Sequence, residues 1–312
     1  MLDGAKLESL DAIGTLTSLK VLRMDSVELT DPSFLSKLTA LEALEVSNTG
    51  LTDLSVISGA KNMETLIADE NKITAVSALS SLTKLENLSL VGNEIADLAG
   101  LDQLTALTTL VLDNNKITDV TALKTLTKLE TLSLAKNEIA DLSVLEGALK
   151  ALSTLTVNEN KLTALNGIDG TALTSLSATN NEISDLSGVS ALTKLTSLYL
   201  SENKIADVSA LEALTALTTL DLSKNEIVDV KALAALTELD NLYLDDNKIT
   251  DLSALDKLEE GGCTISSTGN DIAEATEGET EEATEEATEE TAEDQTEVVT
   301  ENAEGATTEA AE

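Results

Sequence analysis

Nine asparagines stand in one column of the sequence: Asn71, Asn93, Asn115, Asn137, Asn160, Asn181, Asn203, Asn225 and Asn247. The step between them is 22 residues, except for 23 into Asn160 and 21 into Asn181, which cancel. A side-chain amide both donates and accepts hydrogen bonds. Each of these amides interrupts an apolar run, as Asn115 does in "LTALTTLVLDNNKITDVTAL" (Leu104–Leu123). Other chemistry is hard to assemble. The chain has no His, the commonest general base and metal ligand. Cys263 is its only cysteine, so no disulfide can form within the chain, and no imidazole is available to activate the thiol. Cys263 reads as a small buried apolar residue. An acid–base pair would have to be carboxylates breaking the repeat in one place, and no such cluster occurs. Asp221, Asp245 and Asp246 do not match a calcium-loop spacing. No enzymatic activity, metal or cofactor is expected.

The elements that position the amides follow from the rest of the repeat. Going backwards, the same slot holds Thr49 and Val27, giving eleven units between about Leu7 and Leu258. The common frame is L-x-x-L-x-x-L-x-L-x-x-N-x-I-x-D-L-x-x-L. Around Leu110-Val111-Leu112 the apolar period is two, as in a strand. Through Leu98, Leu101, Leu104 and Leu107 it is three, which suits 3₁₀ turns. Each unit is therefore one coil: a short strand, a corner, and a return through tight turns. One coil buries too little to offset the ordering of its own backbone, so it needs neighbours above and below. Eleven coils stacked at the parallel strand spacing make a sheet roughly 50 Å long.

At the corner the backbone leaves the sheet ladder, and its N–H and C=O groups need partners. An inward Asn can supply them on its own coil and the next, and repetition makes an amide ladder. Surface turn residues would be the other reading, but the regular register favours the ladder. Both are structural. Asp53, Asp97, Asp119, Asp141, Asp185, Asp207, Asp229 and Asp251 follow in the frame where a turn begins, a capping position. Asp31-Pro32 fits the same role. Ala75 and Ala164 replace the Asp, so their turns should be less well capped.

On the strand, the residue between the two inward leucines faces outward. That column includes Ile67, Val111, Tyr199, Asp221 and Tyr243, and it holds both tyrosines of the protein. Tyrosine brings large area and a polar tip to binding hot spots. The next outward column adds Asp245. These six are the candidate ligand-binding residues. Chance β-formers on an exposed sheet face are the plainer alternative.

Acidic residues number 57 and basic ones 19, a net charge of −38. No nucleic-acid partner is expected and an anionic membrane surface is disfavoured, because both call for the opposite sign. A protein partner with a basic patch fits. No run of 18 apolar residues occurs, so no membrane insertion is expected. The start "MLDGAKLESL" is not a signal peptide, which implies either a cytoplasmic protein or a leader absent from this chain. After Leu258 the pattern decays through "EEGGCTISSTGNDI" (Glu259–Ile272), read as a degenerate closing coil. From Ala273 to Glu312 sixteen residues are acidic and none is basic. This composition predicts a disordered acidic tail, acting as a spacer or as a binder of cations or basic partners. The domain boundaries are thus 1–272 for the solenoid and 273–312 for the tail.

"LTKLENLSLVGNEIADLAGL" (Leu82–Leu101) resembles the 22-residue leucine-rich repeats of bacterial internalins, and the resemblance covers residues 7–258. It implies a right-handed α/β solenoid with a parallel sheet on the concave face and 3₁₀ turns on the convex face. It also implies a monomer that binds a protein ligand on the concave side, as an adhesin or receptor outside the cell or on the bacterial surface. Internalins carry a helical cap before the first repeat, whereas Leu7, Leu10 and Ile13 have only six residues ahead of them, as in a fragment. Phosphatase-regulating subunits are also similar, and would imply an intracellular scaffold.

Overall fold

The computed structural model describes residues 10–272. The acidic segment 273–312 and the first nine residues lie outside the described residues. Twelve three-residue strands follow one another: β1 (Val21–Arg23), β2 (Ala43–Glu45), β3 (Thr65–Ile67), β4 (Asn87–Ser89), β5 (Thr109–Val111), β6 (Thr131–Ser133), β7 (Thr154–Thr156), β8 (Ser175–Ser177), β9 (Ser197–Tyr199), β10 (Thr219–Asp221), β11 (Asn241–Tyr243) and β12 (Thr264–Ser266). They form a single sheet in which spatial order equals chain order, and every pairing is parallel. The register locks like onto like. Leu22 pairs with Leu44, Leu110 with Leu132, and Leu242 with Ile265. Consecutive parallel strands need a crossover each time, and here the crossover is the rest of the coil.

The core is a stack of identical layers. Leu110, Leu112, Ile117, Leu123, Leu126 and Leu129 of one coil are fully buried, and their counterparts 22 residues back, Leu88, Leu90, Ile95, Leu101, Leu104 and Leu107, repeat the pattern. The first described coils depart from pure aliphatic packing, with Met24, Phe34 and Met63 filling the same interior.

The return side is built from 3₁₀ helices of three to six residues, such as Pro32–Lys37, Leu101–Gln103 and Thr121–Thr125. Side-chain caps close many of these turns. Asp31 accepts the Ser33 N–H, Asp119 that of Thr121 and Asp251 that of Ser253, at 2.8–2.9 Å. In the coil of Ala75 the helix Ser77–Ser81 forms with no side-chain cap. In the coil of Ala164 no 3₁₀ helix forms between Ser143–Leu145 and Ser187–Val189. Gly167 holds that stretch close to the coil before it. Its φ is +87°, and a Cβ there would lie 2.2 Å from the Leu142 carbonyl oxygen.

The closing coil adds β12 on β11 after the short helix α1 (Asp256–Glu260). Cys263 is buried in it, and burial, with Asp240 and Glu259 nearby, pushes its thiol pKa up.

Candidate ligand-binding face

The corner after each strand is where the amides act. Asn115 donates through Nδ2 to the carbonyls of Leu112 (3.0 Å) and Asp113 (3.2 Å) on its own coil, and to Leu90 on the preceding one (2.9 Å). Its Oδ1 accepts the Ile95 N–H of that preceding coil at 3.0 Å. The cross-coil reach is therefore back along the chain, whereas the sequence suggested the next coil. Asn71, Asn93, Asn137, Asn160, Asn181, Asn203, Asn225 and Asn247 each bond one coil back in the same way. All nine are buried.

The column has a further member that the sequence reading missed. Asn270 donates to Leu244 and Ser267 and accepts the Ile249 N–H. Extra residues around Gly261 and Gly262 hide its place in the count. A second feature of the corner also escaped notice. The residue before the amide is left-handed in coil after coil, as at Asn114 (φ 55°), Lys136 (φ 55°) and Glu202 (φ 58°). That conformation costs an L-residue roughly 1–2 kcal/mol. No unbroken glycine column advertises it, but Asn48, Gly92, Asn114, Asn180, Asp246 and Gly269 at this position are types that adopt it readily, a weak signal diluted by Glu and Lys in the other coils. The amide's four bonds offset the cost.

The outward columns form the candidate face. Tyr199, Asp221 and Tyr243 are direct neighbours across β9, β10 and β11. Ile67 and Val111 share their column but flank Ser89, with Val111 four strands from Tyr199, about 19 Å at the sheet spacing. The structure thus divides the candidates into an Ile67–Val111 group and a Tyr199–Asp221–Tyr243 group. Tyr243 is 38 % exposed, while Tyr199 and Asp221 are half-buried. The strand's other outward column is polar from Thr65 to Thr264 and mostly hydroxyl, as at Thr109, Thr131, Thr154 and Ser175.

Asp245 is engaged within the solenoid. Its Oδ1 accepts the Thr268 N–H (2.8 Å) and the hydroxyls of Ser266 and Thr268 (2.7 Å each). Burial pushes its carboxyl pKa up, but the hydrogen bonds from Thr268 and Ser266 outweigh this and hold it below the usual carboxylate range. Asp69 and Asp113 do the same one coil on, accepting the N–H groups of Val91 and Ala135. Much of this acidic column therefore serves the next coil's backbone. Asp221 differs: its Oδ1 takes the Ser223 N–H at 3.0 Å, on its own coil.

Comparison with known proteins agrees with this architecture. The family model for leucine-rich repeats (two copies) matches residues 61–103, 83–125, 127–170, 171–213 and 215–257. The chain belongs to the leucine-rich repeat family. Among curated proteins no sequence matches. An internalin (inlF) from Listeria monocytogenes is structurally similar, with 27% identity, a TM-score of 0.67 and 83% of each chain covered. The plant peptide hormone receptor RGFR1, in complex with RGF2, has a TM-score of 0.68 at 22% identity over 82% of this chain and 44% of that one. A leucine-rich repeat protein of Leptospira interrogans gives 0.52 at 24% identity, over 86% and 89% of the two chains. This leucine-rich repeat protein is internalin-like. Its repeat is of a type that commonly mediates protein–protein binding. Among its described residues no helix is long and apolar enough to cross a membrane.

Proposed function

We propose that this leucine-rich repeat protein is a non-enzymatic adhesin or receptor, secreted or held at a bacterial surface, whose sheet face binds a protein ligand. The observation that carries the reading is the Tyr199–Asp221–Tyr243 group. Two tyrosines are the protein's whole complement, and both stand on the sheet face at adjacent positions around one carboxylate. The remaining aromatic residue, Phe34, is committed to the core. Likeness to an internalin over 83% of both chains supports the cellular setting. The solenoid acts as a monomer, and its ligand contacts the face with Ile67 and Val111 at one end and the tyrosines at the other.

Two measurements test this. Mild proteolysis of intact cells should release peptides from the span 82–257. Release only after lysis would replace the reading with an intracellular scaffold. Replacing both tyrosines (Tyr199→Ser with Tyr243→Ser) should weaken ligand binding at least tenfold at an unchanged melting temperature. Undiminished binding would take the site off this face.

A further inference from the structure

We infer that the Tyr199–Asp221–Tyr243 group is a slot for one arginine side chain on an extended segment of the protein partner. The inference rests on the sheet-face reading above and specifies what that face recognises. Three facts of geometry carry it. Tyr199 and Tyr243 stand one strand to either side of Asp221. Two strand spacings put their backbones about 9–10 Å apart, so a group midway between them lies about 5 Å from each strand, a separation that suits the ~6 Å range of cation–π attraction. Tyrosine side chains reach beyond an aspartate, so the two rings flank the carboxylate between them, and we read them as the walls of the slot with the carboxylate as its floor.

The floor is prepared for a donor. One Asp221 oxygen is tied to the Ser223 N–H, which orients the carboxylate, and the other takes no hydrogen bond among the described residues. The surrounding charge favours a cation. Asp240 precedes β11, and Glu202 and Asp246 occupy the corner column beside it. Lys224 is the nearby cation, and Glu202 holds it at 2.7 Å. A guanidinium suits this slot better than an ammonium. It is planar, stacks on aromatic faces, and offers paired N–H groups to a carboxylate.

The protein carries its own reporter. With no tryptophan and with Phe34 buried, tyrosine emission comes from Tyr199 and Tyr243 alone. Acetyl-Gly-Arg-Gly-amide titrated into the full chain should change that emission saturably. The lysine counterpart should bind at least threefold more weakly, and the neutral citrulline counterpart should give no saturable change. Asp221→Asn keeps an acceptor for Ser223, so it should leave the melting temperature unchanged while weakening the arginine peptide at least tenfold. An equal response to citrulline, an unaffected Asp221→Asn, or no saturable response to arginine would overturn the inference. Loss of partner binding in the double tyrosine variant, without an arginine response, would remove the slot but keep the face. Partner binding that survives the double tyrosine variant would remove both.

Discussion

Asn115 and Asp119 lie four residues apart on one coil, and each accepts a backbone N–H. The column through Asn115 is asparagine in every coil from Asn71 to Asn247. The column through Asp119 breaks at Ala75 and Ala164, and the stack continues through both. The difference is access to water. At the amide corner Leu90, Ile95 and Leu112 are buried, and their backbone groups are bonded by side-chain amides rather than by water. At the return side an uncapped N–H meets solvent, and a turn such as Ser77–Ser81 persists on the packing of Leu79. From Thr49 onward a polar residue is kept where it replaces water, and it is optional where it competes with water.

The largest break in that comparison should come from Asn115→Leu. It strands the buried Ile95 N–H, at about 1–3 kcal/mol, while the Leu90 and Leu112 carbonyls lose one of two amide donors and keep Asn93 and Asn137 respectively. Chemical denaturation should show a loss of about 2–3 kcal/mol, the stranded N–H together with the carbonyls' lost second donors. An unchanged midpoint would mean that water or a backbone shift reaches the corner, and the contrast with Asp119 would collapse.

Second comes the return side at its tightest point. Gly167→Ala places a Cβ against the Leu142 carbonyl in a left-handed residue, whereas Gly170 has open space around it at φ +76°. Gly167→Ala should cost about 1–3 kcal/mol and Gly170→Ala less, since only the dihedral strain remains. Equal losses would show that the backbone shifts to make room, and that the return side is tolerant even where coils touch.

The repeat architecture was readable because it depends on residue type at a fixed spacing. Leucines such as Leu110 and Leu112 must point inward, and an amide at Asn115 can donate to several carbonyls and accept an N–H there without charge. The availability of the outward side chains was not readable. Asp221 and Asp245 look alike in sequence, yet Asp245 is spent on Thr268 and Ser266, more than twenty residues away. That outcome depends on the backbone N–H that the following coil places beside one outward column and not the other, with hydroxyls adding to it. The direction of the amide reach and the left-handed corner at Asn114 were hidden for a related reason. They are properties of backbone path, and several residue types satisfy them equally.

Acid separates the two sides more gently. Hydrogen bonds from the Thr121 hydroxyl and then its backbone N–H hold the Asp119 carboxyl below its ordinary value of 3.8, and Asp53 and Asp141 are lowered the same way by Ser55 and Ser143. The unfolded chain therefore binds protons first as pH falls. Cap stabilisation is complete above the unfolded value and is lost as pH drops through the lower folded value. Asp119→Ala should cost about 0.5–1 kcal/mol at neutral pH. The gap between variant and parent should close below about pH 4, near the 3.8 of the free carboxyl. The Asn115→Leu gap should not vary with pH, because no titrating group is involved. A pH-independent Asp119 gap would reassign its effect from the carboxylate to packing.

The smallest effect belongs to the residue after each amide, where charge alternates: Lys116 pairs with Glu94, Lys161 with Glu138, Lys204 with Glu182 and Lys248 with Glu226, all at 2.7–2.8 Å. These pairs are about half exposed, so water and salt screen them. Lys204→Met should leave the melting temperature unchanged within error. Lys204→Glu should lower it slightly, because three acidic side chains then stand in consecutive coils at 182, 204 and 226, and added salt should restore it. A drop that survives high salt would show that the Lys204 stem, not its charge, packs against the coil. The rule drawn from Asn115 and Asp119 would then have to include apolar contacts made by exposed side chains.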